Sequence, residues 1–181
     1  GANVGSFSLF ARSVWPKAKI VALEPFLSTY VVLEQNLEGQ EGIQALNYAL
    51  GDGKPAGLVE GADSGSNRTR FYSGEGRKIP TLTLAELVHN YVPKRASYMI
   101  KLDCEGGEWS LWKDDYSRQL ILEAEAVAAE LHYQCGKWPD AAPIEEAEAW
   151  VRGLRKDWVG VSHYHRLGHR AGMLHMRKSY E

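Results

Sequence analysis

Three carboxylates fall within six positions in Asp103-Cys104-Glu105-Gly106-Gly107-Glu108, directly after the apolar run Tyr98 to Leu102. Burial and mutual repulsion would raise the proton affinity of at least one of them, which suits a general base. Glu108 is expected in the first turn of the following helix, where a carboxylate is favoured for dipole reasons alone. That leaves Asp103 and Glu105 as the site candidates. Glu130 and His132 close the next apolar run, and the period of two in a strand puts both on one face. His132, oriented by Glu130 or Asp103, could take the proton of a substrate hydroxyl. Alternatively Asp103, Glu130 and His132 could hold a divalent cation such as magnesium through oxygen and imidazole ligands. A strand-end ion pair is the plain structural alternative.

A second group lies at the start. Gly1-Ala2-Asn3-Val4-Gly5-Ser6 reads as a turn between a strand and a helix, where glycines let a ligand approach the backbone and a helix start offers free N–H groups. Glu24 follows about twenty residues on, at the end of the next strand, placed to accept hydrogen bonds from both ribose hydroxyls of a nucleoside cofactor. A dinucleotide fingerprint wants G-x-G-x-x-G. Here Asn3 stands at the second glycine position and Ser6 at the third, so a nicotinamide-dependent oxidoreductase is the weaker reading. A cofactor without pyrophosphate, such as S-adenosylmethionine, fits the G-x-N-x-G turn better.

The elements that must position these residues alternate. Helices are expected over Phe7 to Val14, Ser28 to Leu37 (with Tyr30, Val31, Leu33 and Leu37 on one side), from the Thr83–Glu86 capping box to about Val92, and over Pro143 to Leu154. A helical stretch carries Trp109, Leu111 and Trp112, and Leu120 to Leu122 lie on it or on the next helix. Strands are expected over Ile20 to Leu23, Ile43 to Leu50, Tyr98 to Leu102 and Ala126 to Leu131. Trp158 to Tyr164 and Met173 to Arg177 form a closing hairpin. Residues 60–78, rich in Gly, Ser and Arg, read as a long mobile loop able to close over a substrate. The pattern predicts an α/β fold, a mostly parallel sheet covered by helices on both faces with a C-terminal antiparallel β-hairpin. In such sheets ligands bind at the carboxyl ends of the strands, where Asn3, Glu24, Asp103, Glu105, Glu130 and His132 all fall.

The chain of 181 residues is sized for one domain, 1–181, with 44% hydrophobic and 24% charged residues. No strand precedes the Gly1 turn, so the first strand of the sheet is expected to lie upstream of this sequence. A net charge of -2 gives no electrostatic reason to expect nucleic acid as a partner, and no apolar run has membrane-spanning length. The basic stretches 67–70 and 76–78 read as solvated loop. Cys104 and Cys135 show no metal spacing or disulfide framework, so a reducing, cytoplasmic setting is the expectation. His163, His165, His169 and His175 scatter over the closing hairpin and read as rim residues.

Taken in order, GANVGSFS at 1–8, ALEP at 22–25, NYALGD at 47–52, TLTLAEL at 81–87 and IKLDCEGGEWSLW at 100–112 resemble the FkbM family of class I methyltransferases over nearly the whole chain. The resemblance implies a Rossmann-like methyltransferase that uses S-adenosylmethionine. Gly1, Asn3 and Gly5 would line the methionine side of the cofactor and Glu24 its ribose. Tyr48, Ala49 and Leu50 would lie against the adenine, and Asp103 near the transferring methyl. It implies O-methylation of a hydroxyl on a small molecule or saccharide, with an oligomer compatible with the sequence. A non-catalytic binding module of the same fold is the alternative.

Overall fold

The computed structural model describes residues 1–59, 68–69, 77–133, 142–154, 159–165 and 171–178. The chain forms two compact units, Gly1–Leu82 and Thr83–Glu181.

In the first unit, α1 (Ser6–Val14) leads to β1 (Ile20–Leu23), α2 (Leu27–Leu37) and β2 (Ile43–Leu46). β1 and β2 pair in parallel, Ile20 opposite Ile43 through Leu23 opposite Leu46, as two strands joined by a crossover helix must. Ala22, Leu33 and Leu37 are the buried centre, with Ala2, Leu9, Tyr30, Ile43 and Ala45 packed against it. α2 turns Leu33 and Leu37 inward as expected but leaves Val31 43% exposed. Two positions before Leu33, Val31 lies about 200° from it around the helix, outside the buried stripe.

The strand expected over Ile43 to Leu50 is broken into β2 and β3 (Ala49–Leu50). Asn47 causes the break: its side-chain amide donates to the carbonyls of Glu24 at 2.8 Å and Pro25 at 3.1 Å. Tyr48 N–H turns back to the Leu46 carbonyl. The chain then pairs anew, β3 running parallel to β7 (Thr81–Leu82). Between them β4 (Ala56–Val59) pairs antiparallel with β5 (Arg68–Thr69) and β6 (Arg77–Ile79). These short strands were not expected, and they include Arg68, Thr69, Arg77 and Lys78 of the two basic stretches read as loop. The remainder of the 60–78 segment lies outside the described residues.

The second unit opens with α3 (Leu84–Tyr91), whose capping box is complete: Thr83 accepts from Glu86 N–H and Glu86 accepts from Thr83 N–H. β8 (Met99–Leu102), α4 (Glu108–Lys113), α5 (Asp115–Glu123), β9 (Ala126–His132) and α6 (Ile144–Leu154) follow. Asp114 separates the two short helices by capping α5, its Oδ2 accepting from Ser117 N–H at 2.7 Å. The strands β10 (Val159–His165) and β11 (Ala171–Arg177) form the expected antiparallel hairpin. The sheet order is β10-β11-β9-β8, with β8 and β9 parallel and β11 inserted antiparallel beside β9. β9 is therefore paired on both sides, and Val127, Ala129 and Leu131 along it are buried. α4 adds Trp109, Leu111 and Trp112 to this core, and the Trp112 and Trp150 rings lie 3.7 Å apart.

Candidate functional site

In the first unit the glycine turn and the end of β1 are tied together. Ala2 N–H donates to the Leu23 carbonyl at 2.8 Å, and Asn3 N–H donates to Glu24 Oε2 at 2.9 Å. Phe26 N–H donates to the other carboxylate oxygen, Oε1, at 3.1 Å. Glu24 is 5% exposed, yet each oxygen keeps a second acceptor position. Asn3 sits at φ +51° and Gly5 at φ +92°, a left-handed stretch that only small or amide side chains enter readily. Gly5 is required by packing: a Cβ there would meet Leu33 Cδ1 at 2.8 Å. Asn47, tied to the Glu24 and Pro25 carbonyls, brings Tyr48 and the β3 residues Ala49 and Leu50 beside the same strand end. Ala49 is buried; Tyr48 and Leu50 are partly so.

In the second unit the parallel strands β8 and β9 end on the same side, and their carboxyl ends carry Asp103, Glu105, Glu130 and His132. Glu108, assigned from sequence to a helix first turn alone, does more. It opens α4 and is fully buried. Its Oε1 accepts from His132 N–H at 2.6 Å and lies 2.7 Å from His132 Nδ1. Its Oε2 accepts from Gly106 N–H at 3.0 Å. The partner that orients His132 is thus Glu108, not Glu130 or Asp103. Trp109 Nε1–H donates to the His132 carbonyl, so the backbone as well as the ring is held. The Asp/Glu-rich turn gave no sign of this, because a buried carboxylate and a capping one look alike in sequence.

With Nδ1 committed to Glu108, His132 Nε2 faces Glu105 Oε2 and Glu130 Oε1, each at 3.8 Å. Ligand atoms of Asp103, Glu105 and His132 all lie within 4.8 Å of one another. The structure therefore gathers Asp103 and His132 with Glu105 into one group of possible ligand atoms, where the sequence reading named Glu130. Asp103 Oδ2 also meets Lys101 Nζ at 3.1 Å. Glu105 is held at φ +53° and Gly106 at +97°, a tight turn that swings the Glu105 carboxylate back toward β9. Burial alone would lower the proton affinity of His132. The Glu108 hydrogen bond and charge outweigh it, with help from Glu105 and Glu130, and hold the imidazole above the ordinary histidine value. Burial pushes the Cys104 thiol up, away from the thiolate needed of a nucleophile. On the hairpin, His175 is exposed, while His169 and also Cys135 lie outside the described residues. No helix among the described residues is long and apolar enough to cross a membrane.

Residues 1–137 match the methyltransferase FkbM domain, and the chain belongs to that family. Methyltransferase sdnD of Sordaria araneosa is 43% identical over 53 residues, 28% of this chain and 20% of that protein. The matched stretch thus spans about a fifth of that relative's length. Among solved structures, a protein of Clostridium thermocellum provisionally assigned as an rRNA methylase superposes with a TM-score of 0.52 at 8% identity, covering 100% of this chain and 84% of its own. A METTL16 methyltransferase domain gives 0.47 at 12% identity, covering 100% of this chain and 58% of its own. The fold is that of a class I methyltransferase, α/β with parallel pairing and C-terminal antiparallel strands, as the sequence pattern predicts.

Proposed function

We propose that the chain is the catalytic domain of an S-adenosylmethionine-dependent O-methyltransferase acting on a hydroxyl of a small molecule or saccharide. One observation carries this reading: the Gly1–Gly5 turn is hydrogen-bonded to the buried Glu24 carboxylate at the end of β1. This is the acceptor that ribose hydroxyls need, a fixed carboxylate with spare lone pairs beside a glycine-containing turn. Glu24 would accept from the ribose hydroxyls, Asn3 and its glycine neighbours would lie along the methionine portion, and Tyr48, Ala49 and Leu50 along the adenine. When bound, the cofactor supplies an electrophilic methyl group on a positively charged sulfur. An alkyl hydroxyl is a poor nucleophile at neutral pH, so the protein must remove or weaken its O–H bond. Asp103, Glu105 and His132 are the groups offered for that task. The two units together would serve one methyltransferase domain.

Isothermal titration with S-adenosylhomocysteine, beside NAD and a Glu24→Ala variant, tests the reading. Micromolar binding of S-adenosylhomocysteine that is lost in the variant, with no response to NAD, is expected. A folded chain that binds neither would move the non-catalytic module to the front, and a response to NAD alone would favour an oxidoreductase.

A further inference from the structure

We propose that Asp103, Glu105 and His132 Nε2 form a seat for a divalent first-row transition-metal ion, with Glu108 holding the histidine. The inference deepens the methyltransferase reading and rests on it only for the ion's role, not for its binding. Three features of the site argue for an ion.

The first is the second ring nitrogen. A histidine that ligates through one nitrogen almost always donates from the other to a carboxylate or carbonyl, which fixes the tautomer and strengthens the ligand. Glu108 does this from a fully buried position, and its second oxygen is itself held by Gly106 N–H. The lone pair of a neutral His132 is then confined to Nε2.

The second is what Nε2 faces. A general base needs its free nitrogen open to the acceptor hydroxyl. Here Glu105 Oε2 and Glu130 Oε1 both stand at 3.8 Å, too far for hydrogen bonds yet close enough to favour positive charge at that point. The third is spacing. Ligand atoms each about 2.1 Å from one ion stand roughly 3–4 Å apart. The Glu105–His132 separation falls in that range, and Asp103 completes a triangle with no side above 4.8 Å.

An imidazole nitrogen with two carboxylates also selects among ions. Magnesium prefers an all-oxygen octahedron and keeps its waters, whereas a mixed nitrogen and oxygen set suits manganese, iron, cobalt or zinc. The magnesium ion considered from sequence is the less fitting choice for this donor set. Lys101 already lies on Asp103, so an ion must compete for that carboxylate, and Asp103 is expected to contribute least. An ion seated here would leave positions open for the acceptor oxygen and lower the pKa of its hydroxyl.

The test uses the metal-stripped full chain, titrated with Mn2+ followed by electron paramagnetic resonance and with Co2+ followed by its visible absorption. Micromolar binding is expected, with a cobalt spectrum that carries a nitrogen ligand. His132→Gln and Glu105→Gln should each weaken it at least about tenfold, and Asp103→Asn less, while excess Mg2+ should not displace the ion. Circular dichroism establishes that each variant is folded, and the half-buried Glu105 keeps the test decisive if His132→Gln does not fold. Absence of Mn2+ and Co2+ binding in a folded chain overturns the proposal, as does binding that Glu105→Gln leaves unchanged. Because S-adenosylhomocysteine binding is measured separately, a chain that binds it but no ion loses only this inference.

Discussion

A methyl group added at Gly5 would sit 2.8 Å from Leu33 Cδ1, and the residue's φ of +92° is one that side-chain-bearing residues resist. Gly5→Ala is expected to destabilise the first unit by about 2–4 kcal/mol, combining left-handed strain with overpacking. Urea denaturation followed by circular dichroism measures it, and a loss below ~1 kcal/mol would show that α2 gives way easily. The sequence marks this glycine for a ligand, because a glycine after a strand suggests close approach by something. Leu33 is what a side chain there would meet, and no local pattern distinguishes a packed leucine from a ligand as the reason for the glycine. The same ambiguity hides Glu108. Its spacing from Asp103 and Glu105 is legible, but its partner His132 is 24 residues away, and only the pairing of β8 with β9 brings them together. Residue types are readable from the sequence at this scale; partners are readable only when they are local.

Elements whose signals are local appear where the sequence puts them. The run Ile20–Leu23 is β1 without a residue's difference, and the Thr83–Glu86 pattern is a complete capping box. The break at Asn47 and the small β4-β5-β6 sheet were missed because both depend on distant partners: the Glu24 and Pro25 carbonyls for the first, ladder bonds between very short strands for the second. The helix caps carry a prediction of their own. Hydrogen bonds from Thr83 N–H and from the Thr83 hydroxyl hold Glu86 below its ordinary carboxyl value, and the Ser117 N–H does the same for Asp114. Carboxyls depressed in the folded state stabilise it above the unfolded carboxyl pKa, and this contribution disappears as pH falls through their folded values. Acid should therefore loosen the starts of α3 and α5. The Asp114→Asn variant, in which an amide oxygen still caps but cannot titrate, should show a shallower loss of stability between neutral and acid pH than the parent chain. Equal slopes in urea titrations at the two pH values would assign the acid sensitivity elsewhere.

For the whole molecule, the candidate residues divide with the two units: Asn3, Gly5, Glu24, Tyr48, Ala49 and Leu50 in Gly1–Leu82, and Asp103, Glu105, Glu108, Glu130 and His132 in Thr83–Glu181. Chemistry that needs both sets requires the units to act as one body, and this can be read in their unfolding. Trp109, Trp112 and Trp150 all lie in the second unit, with Trp109 and Trp112 buried. Trp15 is the tryptophan of the first unit, so in a Trp15→Phe variant the tryptophan fluorescence reports the melting of the second unit. The far-ultraviolet dichroism of α1 and α2 adds the first unit to the signal. A ligand that binds only the folded state stabilises it by about 2.7 kcal/mol at a hundredfold excess over its Kd. If residues 1–181 are one cooperative domain, S-adenosylhomocysteine at that excess should raise the tryptophan transition and the dichroism transition together. Glu24→Ala, which lies in the other unit, should abolish the shift in both. If the tryptophan transition stays in place while calorimetry shows that the ligand is bound, the units melt independently. The single-domain reading would then fail even though the cofactor reading stands. A shared shift would mean that binding energy gained at the end of β1 is felt at the end of β9, where the proposed proton-accepting groups lie.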